Sequence, residues 1–191
     1  IVLSSSVIAT GNNEFSPSVV ADTAPEIKSV IGANGEDLSE VIKSLSLHDA
    51  LLAKDSEEFK SLLDAYEEIK NISSIADLGI DISEYFGDIN IENLVVRDLL
   101  DISLSGYENY FDTEGNTLEI TFDFKLNKND ILIILIRDND GNWSMIDPQY
   151  IIIIDDGTVT ITFDRIGVIA FVVAQNPISN DNAGSSRLFN S

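Results

Sequence analysis

Five stretches of the chain carry the apolar spacing of β-strands. Leu118, Ile120, Phe122, Phe124 and Leu126 alternate with Glu119, Thr121, Asp123 and Lys125. That period of two predicts a strand with one dry and one wet face. Val159, Ile161 and Phe163 alternate in the same way with Thr158, Thr160 and Thr162. Residues 131–136 are apolar on both faces, which predicts a central strand, and Tyr150 to Ile154 and Val168 to Val173 are rich in β-branched residues. Asp138-Asn139-Asp140-Gly141 and Asp155-Asp156-Gly157 supply turns between them. Short strands joined by tight turns argue for an antiparallel sandwich rather than βαβ units.

The period changes upstream. From residue 46 to 70 the spacing is helical. Ser46 is placed to cap with Asp49 three residues on, a second start falls at Asp55 with Glu58, and Phe59, Leu62, Leu63, Tyr66 and Ile69 share one face. Asn71 is the expected stop, and short helical turns follow at Ser74 to Leu78, ended by Gly79, and at Ser83 to Phe86, ended by Gly87. Ile27, Val30 and Ile31 flank Ala33-Asn34-Gly35. Asn-Gly is a strong hairpin signal because both residues tolerate positive φ, so a short hairpin is expected there.

The fold class predicted is therefore mainly β with a helical segment (α+β), an antiparallel Ig-like β-sandwich with helices packed on one face or end. Residues 1–15 read as a signal-peptide remnant or linker, with Val7 and Ala9 at the small-residue positions before a cleavage at Thr10. Residues 16–175 read as one domain, comprising an extended segment, hairpin and helices (16–93) and a sandwich core (94–175). The Ser/Asn/Gly-rich residues 176–191 read as a flexible tail.

Composition narrows the function classes. Of 191 residues, 33 are Asp or Glu and 11 are Lys or Arg, for a net charge of −22. Such a chain repels phosphate backbones and anionic bilayer surfaces, which disfavours nucleic acid and direct membrane insertion and leaves cationic partners or divalent cations. Cysteine is absent, so thiol catalysis and thiolate metal sites are excluded.

The ordered set Leu94 to Gly106, Asn116 to Asp123, Asp140-Gly-Asn-Trp143, Asp156 to Asp164 and Ile169 to Val173 resembles an Ig-like β-sandwich module of secreted or cell-wall surface proteins from gut Firmicutes and related Gram-positive bacteria. Ser16-Pro-Ser-Val19 and Ala24-Pro-Glu26 fit the opening of such proteins. The resemblance implies an extracellular or cell-surface location, a place in a larger multi-domain protein, and no catalytic residues.

The leading expectation is accordingly a non-catalytic structural or adhesive surface module, with a carbohydrate-binding module and a carboxylate-based hydrolase as alternatives. His48 is the sole histidine and sits in a helix's first turn, a poor base for a triad. Glu119 and Asp123 lie four apart on one strand, roughly 13 Å, beyond the about 5 to 9 Å that glycosidase carboxylates need. Trp143, Tyr107 and Tyr110, beside Phe111, are the candidate sugar-stacking residues; the competing reading has Trp143 plugging the end of the sandwich. No cofactor is expected except calcium, for which Asp138, Asp140, Asp155 and Asp156 are the candidate ligands, although the EF-hand spacing fails because Gly141 falls at position 4.

Overall fold

The computed structural model describes residues 15–16, 24–86, 94–126, 129–154 and 157–174. In chain order the strands begin with β1 (Phe15–Ser16), β2 (Glu26–Gly32) and β3 (Ile42–Ser46). The helical region holds α1 (Leu47–Leu52), α2 (Lys60–Asn71) and α3 (Ser83–Phe86), with single 3-10 turns at Glu57–Phe59 and Ile75–Leu78. Then come β4 (Leu94–Leu104), β5 (Leu118–Asp123), β6 (Ile131–Arg137), β7 (Trp143–Met145), β8 (Ile151–Ile153), β9 (Thr158–Phe163) and β10 (Val168–Ala174).

The strands form two sheets. The larger runs β1-β4-β10-β6-β7, with β3 also paired to β4; the smaller runs β2-β5-β9-β8. Every pairing is antiparallel except β1 with β4. The sandwich is not confined to residues after 94. The Ala33-Asn34-Gly35 turn forms, with Gly35 at φ 79°, but the expected hairpin shrinks to one bridge, Ile31 to Asp37. The chain then crosses over, so β2 joins β5 in one sheet and β3 joins β4 in the other.

Two cores follow from this layout. Between the sheets, Val30, Ile120, Phe122, Val159, Ile161 and Phe163 meet Leu100, Ile102, Ile134, Ile169 and Phe171. On the far side of the larger sheet, Leu47, Ala50, Leu62, Ala65 and Ile69 from the helices meet Val96, Leu99, Ile133, Leu135, Ala170 and Val172. The larger sheet is thus covered on both faces, which explains why β6 and β10 have no polar alternation. All seven residues of β10 are buried.

Local chemistry sets the helix ends. Asp49 donates its N–H to Ser46 Oγ at 3.2 Å to start α1. Ser74 and Asp77 make a reciprocal capping box, and Gly79 at φ 79° closes that turn. The start expected at Asp55 is replaced by the 3-10 turn, and α2 begins at Lys60 with no side-chain cap. Packing decides here, because Leu62, Ala65 and Ile69 are fully buried while Phe59, Leu63 and Tyr66 press on the same core.

A β-bulge divides β4. Phe171 pairs with Asp98 and Val172 with Val96, so Arg97 is the extra residue. The bulge shifts the strand's parity. Leu94 and Val96 serve the helix-side core, whereas Leu100, Ile102 and Leu104 serve the inter-sheet core.

The turn into β10 is equally constrained. A Cβ on Gly167 would lie 2.4 Å from the Arg137 carbonyl oxygen, while the Gly167 carbonyl accepts a hydrogen bond from Ile102 N–H at 3.0 Å. Gly167→Ala is expected to destabilise the fold by about 1–3 kcal/mol through forced backbone movement. A urea midpoint equal to wild type would show that the turn shifts freely.

Candidate functional site

The residues that pack α2 against the β6–β7 hairpin build the most developed polar site. Glu68, on α2, projects its carboxylate toward the hairpin. Its Oε1 accepts from Arg137 Nη2 at 2.8 Å, and its Oε2 accepts from Arg137 Nε at 3.1 Å and from the Trp143 indole N–H at 2.6 Å. The paired guanidinium, helped by the indole donor, holds the Glu68 carboxyl below its usual range despite partial burial. The same pairing raises Arg137. One carboxylate therefore fixes both the helix-to-hairpin contact and the plane of the Trp143 ring.

The hairpin turn is itself ordered by a carboxylate. Asp138 Oδ1 accepts from Asp140 N–H at 2.9 Å and Asn142 N–H at 2.8 Å, and Oδ2 accepts from Asn142 Nδ2 at 3.3 Å. These donors, the Asn142 amide foremost, hold Asp138 below the ordinary carboxylate range. Gly141 at φ 86° completes the turn.

Between the hairpin and α2 opens a groove of about 640 Å³. Trp143, Ile72 and Leu78 supply apolar lining; Glu67, Asn71, Asp77 and Asn142 supply the polar rim. Asn71 is anchored by donating Nδ2 to the Glu67 carbonyl at 2.7 Å. Asp77 Oδ2 accepts from the N–H groups of Ser73 and Ser74, donors that hold it below its ordinary value. Aromatic surface beside fixed amides and carboxylates is the chemistry that receives a sugar ring: the carbon face stacks and vicinal hydroxyls pair with planar acceptors and donors.

The three expected stacking residues are not brought together. Trp143 packs against the helix-side core, whereas Tyr110 packs against the inter-sheet core, across the larger sheet. Tyr110 is a structural peg. Its hydroxyl donates to the Thr117 carbonyl at 2.9 Å and accepts from Ala33 N–H at 2.7 Å, and its ring meets Phe111 edge-on. Tyr107 is exposed in the loop after β4, where its carbonyl accepts from Tyr110 N–H at 3.0 Å, so the two tyrosines share a turn. Tyr107 nevertheless lies outside the core that Tyr110 packs against, and Trp143 is across the sheet.

Of the four candidate calcium ligands, Asp138 and Asp140 share the β6–β7 turn, with Asp138 engaged as above; Asp155 and Asp156 lie outside the described residues. Among the described residues no group of three or more His, Asp or Glu is arranged to hold a metal ion. His48 is exposed on α1, and Glu119 and Asp123 lie on the wet face of β5. Val7, Ala9 and Gly87 also fall outside the described residues.

Sequence reasoning missed Glu68, Asn71 and Asp77. Their roles depend on contact between α2 and a hairpin some 70 residues later, as the separations of 69 and 75 residues in the Glu68 bonds show. A second, smaller cleft of about 250 Å³ lies near β8, with Tyr85, Tyr150, Asp147, Asp164 and Arg165 among its lining residues. No helix among the described residues is long and apolar enough to cross a membrane. Comparison with protein-family models, with curated proteins and with solved structures finds no match for this chain.

Proposed function

We propose that the protein is a non-catalytic extracellular surface module of adhesive role, an Ig-like sandwich in class, which binds a glycan in the Trp143 groove. One observation carries the reading: Trp143 is held rigid by Glu68 at the side of a groove whose rim is carboxylate and carboxamide. A preorganised ring loses little freedom on binding, so the stacking contact is realised as affinity. Apolar and polar surface share the groove about evenly, which suits a ligand with both a carbon face and hydroxyls better than a lipid. The resemblance to surface modules of Gram-positive bacteria supports export, and the acidic, cysteine-free composition is compatible with it.

The test is a glycan array probed with the full chain, followed by calorimetry on the hits. Trp143→Ala is expected to weaken binding about tenfold or more, a loss of about 1.4 kcal/mol or greater. Trp143→Phe preserves packing and part of the stacking face, so it should retain intermediate affinity. Asn71→Ala, on the exposed rim, should weaken binding without changing the melting temperature. A blank array, or full binding by folded Trp143→Ala protein, would sink the reading.

A further inference from the structure

We propose that the open edge of β8 and the tyrosine-lined cleft beside it form a docking site for an extended, lysine- or arginine-bearing peptide strand. Three independent features converge there: a strand edge with no second neighbour among the described residues, exposed apolar side chains, and a cleft with the charge and aromatic content to hold a cation.

Strand β8 ends the smaller sheet and among the described residues pairs only with β9. Ile152 is opposite Thr160, and Ile154 N–H donates to the Thr158 carbonyl at 2.7 Å. Even-numbered backbone groups therefore point to β9, and those of Ile151 and Ile153 point outward. The Ile151 N–H is taken by the Pro148 carbonyl. That leaves the Ile151 carbonyl and both Ile153 groups facing the open side, a template for an added strand.

Natural edges are usually blunted by charge, proline or a bulge. This one reads Ile151-Ile152-Ile153-Ile154, with Ile152 60% and Ile154 46% exposed. Both belong to the outward face of the sheet, where the neighbouring Thr158 and Thr160 are polar. Exposed isoleucines on such a face mark an interaction surface.

The cleft adjoins the start of the strand. Tyr150, half exposed, directly precedes β8, and Tyr85 on α3 also lines the cleft. Asp147, Asp164 and Arg165 supply its charge. Arg165 is already engaged: Nη2 donates to Ser144 Oγ at 2.7 Å, Nε to the same oxygen at 3.1 Å, and Nη1 to Asp164. Asp147 has no cationic partner among the described residues. Its Oδ1 accepts from Gln149 N–H at 3.0 Å to cap the turn before β8, and its Oδ2 accepts from Gln149 Nε2 at 2.8 Å, neutral donors that leave its charge uncompensated beside two aromatic rings. Carboxylate plus tyrosine faces select an ammonium or guanidinium group. The chain's charge of −22 steers a basic strand inward and opposes edge-to-edge pairing of two copies.

The experiment uses the full chain and a labelled seven-residue peptide alternating Lys and Val, read by fluorescence anisotropy. Saturable binding is expected. Methylation of alternate peptide nitrogens should weaken it at least tenfold by removing the strand hydrogen bonds. Asp147→Asn, which keeps the turn's acceptor, and Tyr150→Ala should each weaken it several-fold without lowering the melting temperature. The proposal is overturned by absence of saturable binding, by equal binding of the methylated peptide, or by sedimentation showing a dimer that Ile152→Lys dissociates.

Discussion

Phe171→Ala is expected to cost about 3–5 kcal/mol of folding stability, with a fall in melting temperature of roughly 10 °C. Phe171 is fully buried at the centre of β10, its ring centroid 5.2 Å from those of both Phe122 and Phe124. Truncation removes the inter-sheet contact from the larger sheet and leaves a void lined by side chains of two sheets, which cannot both close on it. It also abolishes an edge-on pair with Phe122, worth about 0.5–1.5 kcal/mol beyond area. Equilibrium urea unfolding measures the loss, with Ile169→Val, expected to cost about 0.5–1.5 kcal/mol, as the mild comparison. A loss below about 1 kcal/mol for Phe171→Ala would mean that the helix-side core alone sustains the fold.

Asp98→Asn is expected to stabilise the protein, with a gain that begins above about pH 3.8 and is complete above about pH 6. Asp98 is the buried charged residue among the described ones, 2% exposed. It lies at the β4 bulge and accepts the Leu99 N–H at 2.7 Å. Burial pushes its carboxyl up to about 6 against that hydrogen bond, from an ordinary value of 3.8. Because the folded-state value is the higher one, the native protein binds more protons than the unfolded chain between those values. Stability from this group is complete below about pH 3.8 and is lost as pH rises through about 6, after which a constant cost of roughly 2–3 kcal/mol remains. The amide keeps an acceptor for Leu99 N–H and carries no charge. The variant should therefore exceed wild type by up to about 2–3 kcal/mol at pH 8 and match it near pH 3.5. Comparing the two proteins at each pH removes the shared effect of the other carboxylates. Parallel stability profiles would refute the assignment of the penalty to Asp98.

What was legible in the sequence was what depends on near neighbours. Ser46 with Asp49 caps where its spacing says it should, and the turn from Ser74 ends at Gly79 as expected, because such ends are satisfied within four residues. The alternations at Leu118 to Asp123 and Val159 to Phe163 place their inward faces correctly. Long-range pairings were not legible. Ile131 to Ile136 and Tyr150 to Ile154 are equally apolar, yet one is a central strand and the other an exposed edge. The two apolar faces of residues 131–136 predict their central place, but the same run of apolar residues in 151–154 ends at an edge, and only the strand that lies alongside tells that. The same holds for the split of β2 and β3 between sheets, for the bulge at Arg97, and for the Glu68 clamp that builds the groove. Trp143 was legible as a candidate, but not that Glu68 and Asn71 would accompany it while Tyr107 and Tyr110 stood elsewhere.

Strand β10 has no water-facing side to tell its two surfaces apart, so a slide by one position would expose nothing polar to a dry interior. Its side chains nevertheless differ in bulk. Val168, Ala170, Val172 and Ala174 turn to the helices, and Ile169, Phe171 and Val173 to the opposite sheet. A slipped strand would drive a phenyl ring under the closely seated helices and leave alanines facing the wide gap between sheets. For this strand, correct alignment is written in the sizes of its side chains rather than in their affinity for water.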